Sequence, residues 1–163
     1  MENGNDKRRF LKILYILQRL IHDWAETSIC EVYMPEFKVG YIPAFMCIGM
    51  QGISNNEVAK ELKVSKMAAS KIIKELMNLK LIRGERSKLD ARSEILYLTN
   101  KGEAFSKKVS QMRNSAEEEY KKITGSKNYE KTIDVLLEII QFHEVLKVKT
   151  KKEAEWSNGG EAY

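Results

Sequence analysis

The chain has 163 residues, 43% of them hydrophobic and 31% charged, with a formal net charge of +5. That composition excludes a disordered chain and supplies enough apolar surface for one core plus flanking elements. Residues 60–92 hold ten basic and four acidic side chains, so this stretch carries a net +6 and the remainder −1; a charge so localised points to a polyanion as partner.

Residues 8–32 are predicted to form a long helix. Phe10, Ile13, Leu14, Leu17, Leu20, Ile21 and Trp24 recur at helical spacing, while Leu11, Tyr15 and Ile16 widen the apolar stripe beyond one face. Pro35 and Gly40 mark a loop, and the apolar run 41–50, with Pro43 suited to a first turn, reads as a buried helix. Ser54 and Glu57 have the spacing of a capping box that opens a short helix with Val58, Ala59 and Leu62 inward. After the turn at Lys63-Val64, Ser65 caps the next helix. Its Ala69, Ile72, Ile73 and Leu76 face a core, and its other side gathers Lys66, Met67, Ser70, Lys71 and Lys74. Two helices joined by about three residues have the form of a helix-turn-helix.

The period then changes. Leu81 to Arg86 and Glu94 to Leu98 read as two short strands around a basic hairpin loop with Arg86, Lys88 and Arg92. Thr99 caps a further helix with Phe105, Val109, Met112, Ala116, Tyr120 and Ile123 in one stripe, which Gly125-Ser126 breaks. The last helix is expected over 129–148, with apolar residues on two sides, and 149–163 as a disordered tail. The predicted fold class is mainly α with a small β-hairpin wing. It divides into an N-terminal dimerisation helix (8–34), a winged helix-turn-helix domain (41–99), C-terminal dimerisation helices (100–148) and the tail (149–163).

This order of elements has a direct reading. A helix fits the DNA major groove, long side chains such as Lys66 and Lys71 reach phosphates or guanine edges, and short ones such as Ala68 and Ser70 permit close approach. Wing residues Arg86, Lys88 and Arg92 would follow the backbone or the negative potential of a narrow minor groove. The partner expected is therefore double-stranded DNA. The end helices, apolar on more than one side, need a second copy of the chain to cover them, which predicts a homodimer.

The residues Ser54, Glu57-Val58-Ala59, Leu62, Val64-Ser65, Ile73, Leu76, Leu79 and Leu81-Ile82, then Asp90-Ala91-Arg92 and Leu96-Tyr97-Leu98-Thr99-Asn100-Lys101-Gly102, resemble the MarR family of bacterial transcription regulators. The resemblance covers about 41–110, and the Asp-x-Arg and Leu-Thr-x-x-Gly parts are its most specific. It implies a dimer on a pseudo-palindromic operator, commonly a repressor released by a small ligand or by oxidation. It places Ser65, Ser70 and Lys71 at recognition-helix contacts, Arg92 in the minor groove and Asp90 as the residue orienting an arginine or the wing backbone. Ala68 departs from the Thr common at its position, and one basic residue after Asp90-Ala91 stands where many members carry two.

By the same analogy an effector cleft for a small aromatic or acidic molecule would draw on His22, Trp24, Tyr33, Tyr41 and Phe45, against the plainer reading of core packing. Cys30 is the candidate for redox sensing, opposed by the neighbouring Glu26 and Glu31, which would raise its pKa. Cys30 and Cys47 make no disulfide framework. With two histidines far apart, no Gly-rich phosphate loop and no ligand cluster, neither an enzyme nor a metal or cofactor site is expected. Met1–Asp6 shows no signal-peptide organisation and no apolar run nears the roughly 20 residues of a membrane span, so a cytoplasmic protein is expected. The remaining alternative is a winged-helix protein-interaction module that does not bind DNA.

Overall fold

The structure is a computed structural model that describes residues 9–49, 51–86 and 94–158, with backbone alone at 149 and 151–158. Its elements run α1 (Phe10–Ala25), a π-helical turn (Glu26–Cys30), α2 (Glu31–Tyr33), a 3-10 turn (Val39–Tyr41) and α3 (Ile42–Cys47). There follow β1 (Ile53–Ser54), α4 (Asn55–Glu61), α5 (Lys66–Asn78), β2 (Ile82–Arg86), β3 (Glu94–Leu98), α6 (Asn100–Thr124) and α7 (Ser126–Asn158). The backbone falls into two compact units, one through Arg113 and one from Asn114 on.

In the first unit β3 is the central strand of an antiparallel sheet of order β1-β3-β2. The wing pairs Ile82 with Leu98 through to Arg86 with Glu94. The sequence reading missed β1, whose Ile53 and Ser54 pair with Leu96 and Ile95; two residues are too few to show a period. The core holds Phe37, Phe45, Ile48, Leu76, Leu81 and Leu96. The rings of Phe37, Phe45 and Phe105 meet with centroids 4.9 to 5.8 Å apart.

The first predicted helix is interrupted. The π turn adds a residue to one turn and so rotates the chain's face. Thr27 sits in it, its hydroxyl donating to the carbonyls of Asp23 at 3.0 Å and Trp24 at 3.1 Å. Most apolar side chains of α1 are exposed, with Leu14 and Trp24 half-buried; Ala25 at its end and Ile29 and Cys30 in the turn are buried.

In the second unit Gly125, at φ +81°, ends α6. Lys121 lies 3.4 Å from Glu118 and 3.7 Å from Glu130, and Lys122 lies 2.6 Å from Glu119. Among its described residues none is buried, although Leu137, Ile140, Phe142 and Leu146 all lie on α7. The last helix starts three residues earlier than predicted and continues to Asn158. Residues 149–158 are thus helical, not a disordered tail. Polarity misled there: Lys151-Lys152-Glu153-Ala154-Glu155 are strong helix formers, with no glycine before Gly159. Residues 159–163 lie outside the described residues.

Candidate nucleic-acid interface

The site begins at two helix caps. Ser54 accepts from the Glu57 N–H at 3.3 Å, and Glu57 Oε2 accepts from the Ser54 N–H at 2.8 Å and from its hydroxyl at 2.7 Å, which completes the capping box of α4. These bonds hold the Glu57 carboxyl below its ordinary value of 4.5. A carboxyl lowered on folding stabilises above its unfolded pKa, so this contribution is present at neutral pH and is lost as pH falls through the lowered value. α4 then closes with Lys63 in the left-handed region, φ +56°. The N–H groups of Lys63 and Val64 return to the carbonyls of Lys60 and Ala59 at 3.1 and 3.0 Å. This Schellman closure turns the chain within three residues into α5.

Ser65 opens α5 by accepting from the Ala68 N–H at 3.1 Å. Its oxygen therefore already accepts one hydrogen bond as a cap. Ser65→Ala is expected to lower stability by about 1 kcal/mol through cap loss alone, measurable by urea unfolding; an unchanged midpoint would remove the cap's role. Along α5, Ala69, Ile73 and Leu76 are buried and Ile72 half-buried. Lys66, Met67, Ala68, Ser70, Lys71 and Lys74 are exposed, Met67 at 81%. An exposed strip of three lysines, two short side chains and one methionine, without a carboxylate, suits the floor of a major groove.

The wing stands beside it. The Arg83 guanidinium lies 5.3 Å from the centroid of the Tyr97 ring and pairs with Glu85, so this arginine is engaged within the sheet. Arg86 is exposed at the end of β2. Lys88, Asp90 and Arg92 lie outside the described residues.

The far end of α5 is gripped by the β3–α6 elbow. Lys80, at φ +57°, closes the helix, with the Lys80 and Leu81 N–H groups on the carbonyls of Met77 and Leu76. Three successive carbonyls are then taken by the elbow. The Lys101 ammonium donates to Leu79 at 3.0 Å, the Thr99 hydroxyl to Lys80 at 2.7 Å, and the Thr99 N–H to Leu81 at 3.0 Å. Thr99 Oγ1 also accepts from the Gly102 N–H at 3.0 Å, capping α6. The Leu-Thr-x-x-Gly stretch thus orients α5. Sequence reasoning placed Thr99 as a cap but missed Lys101, because its partner is 22 residues away.

The residues assigned to an effector cleft are dispersed. His22 is exposed, its Nδ1 3.9 Å from the Asp23 carboxylate. It lines a hollow of about 240 Å³ with Tyr15, Gln18, Arg19 and Asp23, and none of the other four candidates does. Trp24 is half-buried. Tyr33 is exposed, with the Lys108 ammonium 5.5 Å from its ring centroid. Tyr41 meets Phe37 edge-on at 5.8 Å. Phe45, a cleft candidate set against core packing, lies in the core, its ring beside those of Phe37 and Phe105.

Cys30 is buried, and burial with Glu26 and Glu31 nearby pushes its thiol up to about 11. Burial and then Glu61 raise Cys47 as well. A protonated, enclosed thiol is a poor nucleophile. Cys30 is expected to stay unmodified in mild peroxide, read by intact-protein mass; a sulfenic or disulfide adduct there would reverse this. Among the described residues no cluster of His, Cys, Asp and Glu could hold a metal ion, and no helix is long and apolar enough to cross a membrane.

No family model and no curated protein matches the chain. Solved structures do. CouR, a transcriptional repressor bound to a 23-mer DNA duplex, is 19% identical with a TM-score of 0.72, over 85% of this chain and 97% of its own. FabT of Streptococcus pneumoniae, in complex with DNA, is 18% identical with a TM-score of 0.68, over 85% and 99%. A MarR transcriptional regulator from Methanosarcina mazei Go1 is 18% identical with a TM-score of 0.62, over 84% and 99%. The chain therefore has the MarR-type winged helix-turn-helix fold.

Proposed function

We propose that the chain is a sequence-specific, DNA-binding transcriptional regulator, acting as a homodimeric repressor on a pseudo-palindromic operator and not as an enzyme. The observation that carries this is the exposed, carboxylate-free strip of α5 with Lys66, Lys71 and Lys74. CouR and FabT, which have the same fold, are described bound to DNA. Lys66, Met67, Ser70, Lys71 and Lys74 would enter the major groove. Arg86, Lys88 and Arg92 would follow the backbone or minor groove, with Asp90 orienting the wing. Ser65 would add a contact from the helix start. Such a regulator works where chromosomal DNA is, which in a cell without a nucleus is the cytoplasm.

The homodimer rests on the apolar residues left exposed on α1 and α7, which a two-fold partner would cover. Two reading heads on one face of the duplex, a helical turn or more apart, make the operator palindromic. Control by a small aromatic or acidic ligand belongs to the same reading; of the cleft candidates, His22 lines a hollow on α1 with Tyr15, Gln18, Arg19 and Asp23.

Selecting bound duplexes from a random pool tests the proposal in one step. A palindromic consensus is the expected result. No enrichment, with no shift of random duplex at low salt, would leave a winged-helix interaction module. Lys71→Ala is expected to weaken binding and to flatten the log–log salt dependence by about 0.9 per head, about 1.8 per dimer. An unchanged slope would remove Lys71 from the phosphate contacts.

A further inference from the structure

We propose that Asn55 is a positioning residue for Ser70, holding the Ser70 hydroxyl so that its proton is offered to an acceptor on a DNA base edge. The inference rests on the DNA-binding reading above. Asn55 is the first residue of α4 and Ser70 lies on the outer face of α5. Across the helix-turn-helix, Asn55 Nδ2 donates to Ser70 Oγ at 2.7 Å. A serine hydroxyl has one proton and two acceptor sites. The amide fills one acceptor site from the α4 side, so the proton points elsewhere. A helical serine can turn that proton back onto the carbonyl four residues earlier, so an acceptor in the groove has to draw it from there; the amide, a donor, leaves the proton unspent.

The other end of the same amide is the second observation. Asn55 Oδ1 is buried without a hydrogen-bond partner, the one such side-chain atom among the described residues. A buried acceptor left unpaired is unfavourable, and the start of α4 does not need it, because Ser54 and Glu57 already satisfy the cap. The recorded hydrogen bond of the Asn55 side chain is the one to Ser70. In the major groove the complementary acceptors are guanine N7 and O6, adenine N7 and thymine O4.

The test is a double-mutant cycle on the full chain. Wild type, N55A, S70A and N55A/S70A are titrated with the duplex selected from a random pool and with an unrelated duplex of equal length. N55A is expected to lower affinity for the selected duplex about two- to tenfold, the worth of one hydrogen bond. The double variant should lose no more than S70A. Both single variants should relax preference at the same symmetric pair of base positions, with the unrelated duplex unaffected. N55D keeps the side chain's shape but reverses the bond, so Ser70 donates to the carboxylate. It should lose the same preference, which guards against a folding defect in N55A. Multiplicative losses, or an N55A affinity and preference equal to wild type, would overturn the proposal. Equal losses on both duplexes would make Ser70 a phosphate contact and overturn base reading. A wild type that binds neither duplex would instead sink the DNA-binding reading itself.

Discussion

Gly102→Ala is expected to destabilise the protein by about 3 kcal/mol or more. In the middle of an ordinary helix the same change stabilises by up to about 1 kcal/mol, so the sign is diagnostic. At Gly102 a Cβ would stand 2.0 Å from the Leu81 carbonyl oxygen and 3.0 Å from its carbonyl carbon. Neither atom belongs to a flexible side chain, so the first turn of α6 would have to leave the α5–β2 junction. The Thr99 and Lys101 bonds to Leu79, Lys80 and Leu81 would go with it. Urea unfolding followed by circular dichroism measures the loss. A midpoint at or above wild type would show that the elbow does not hold α5.

Leu137→Glu is expected to act on assembly and leave the lone chain almost untouched. Leu137 is 57% exposed on α7, and a surface substitution of this kind ordinarily changes stability by less than about 0.5 kcal/mol. Within a dimer interface the new carboxylate would be desolvated without a partner, which is strongly unfavourable. Sedimentation should then find a chain of 18.9 kDa. Operator affinity should fall by about 100-fold or more, because linking two modules contributes about 10² to 10⁴ over one. Binding of random duplex by each head should change far less. A variant that remains dimeric and binds the operator as wild type does would mean that α7 is not the surface where copies meet.

The parts legible in the sequence share one property: neighbours along the chain decide them. The Ser54–Glu57 box, the Ser65 cap, the Lys63-Val64 turn, the apolar face of Ala69, Ile73 and Leu76, and the β-propensity of Ile95 and Tyr97 in Glu94–Leu98 each depend on residues within one or two turns or along one strand. A cap needs a serine and a free N–H three residues on, and a buried face needs only a period, so the helix-turn-helix and its wing could be read directly. The basic strip of α5 followed from the same period, since fixing the inward face fixes the outward one.

Only the tertiary structure decided where distant partners meet. Lys101 reaches Leu79, Thr99 takes the carbonyls of Lys80 and Leu81, and Asn55 grips Ser70 across fifteen positions. Phe45 enters the core because Phe37 and Phe105 converge on it, and Cys30 is enclosed because a π turn rotates it inward. Short-range hydrogen bonding and hydrophobic period are encoded in local spacing. The closing of one element on another depends on side chains brought together by the whole chain's burial, and spacing carries no record of that.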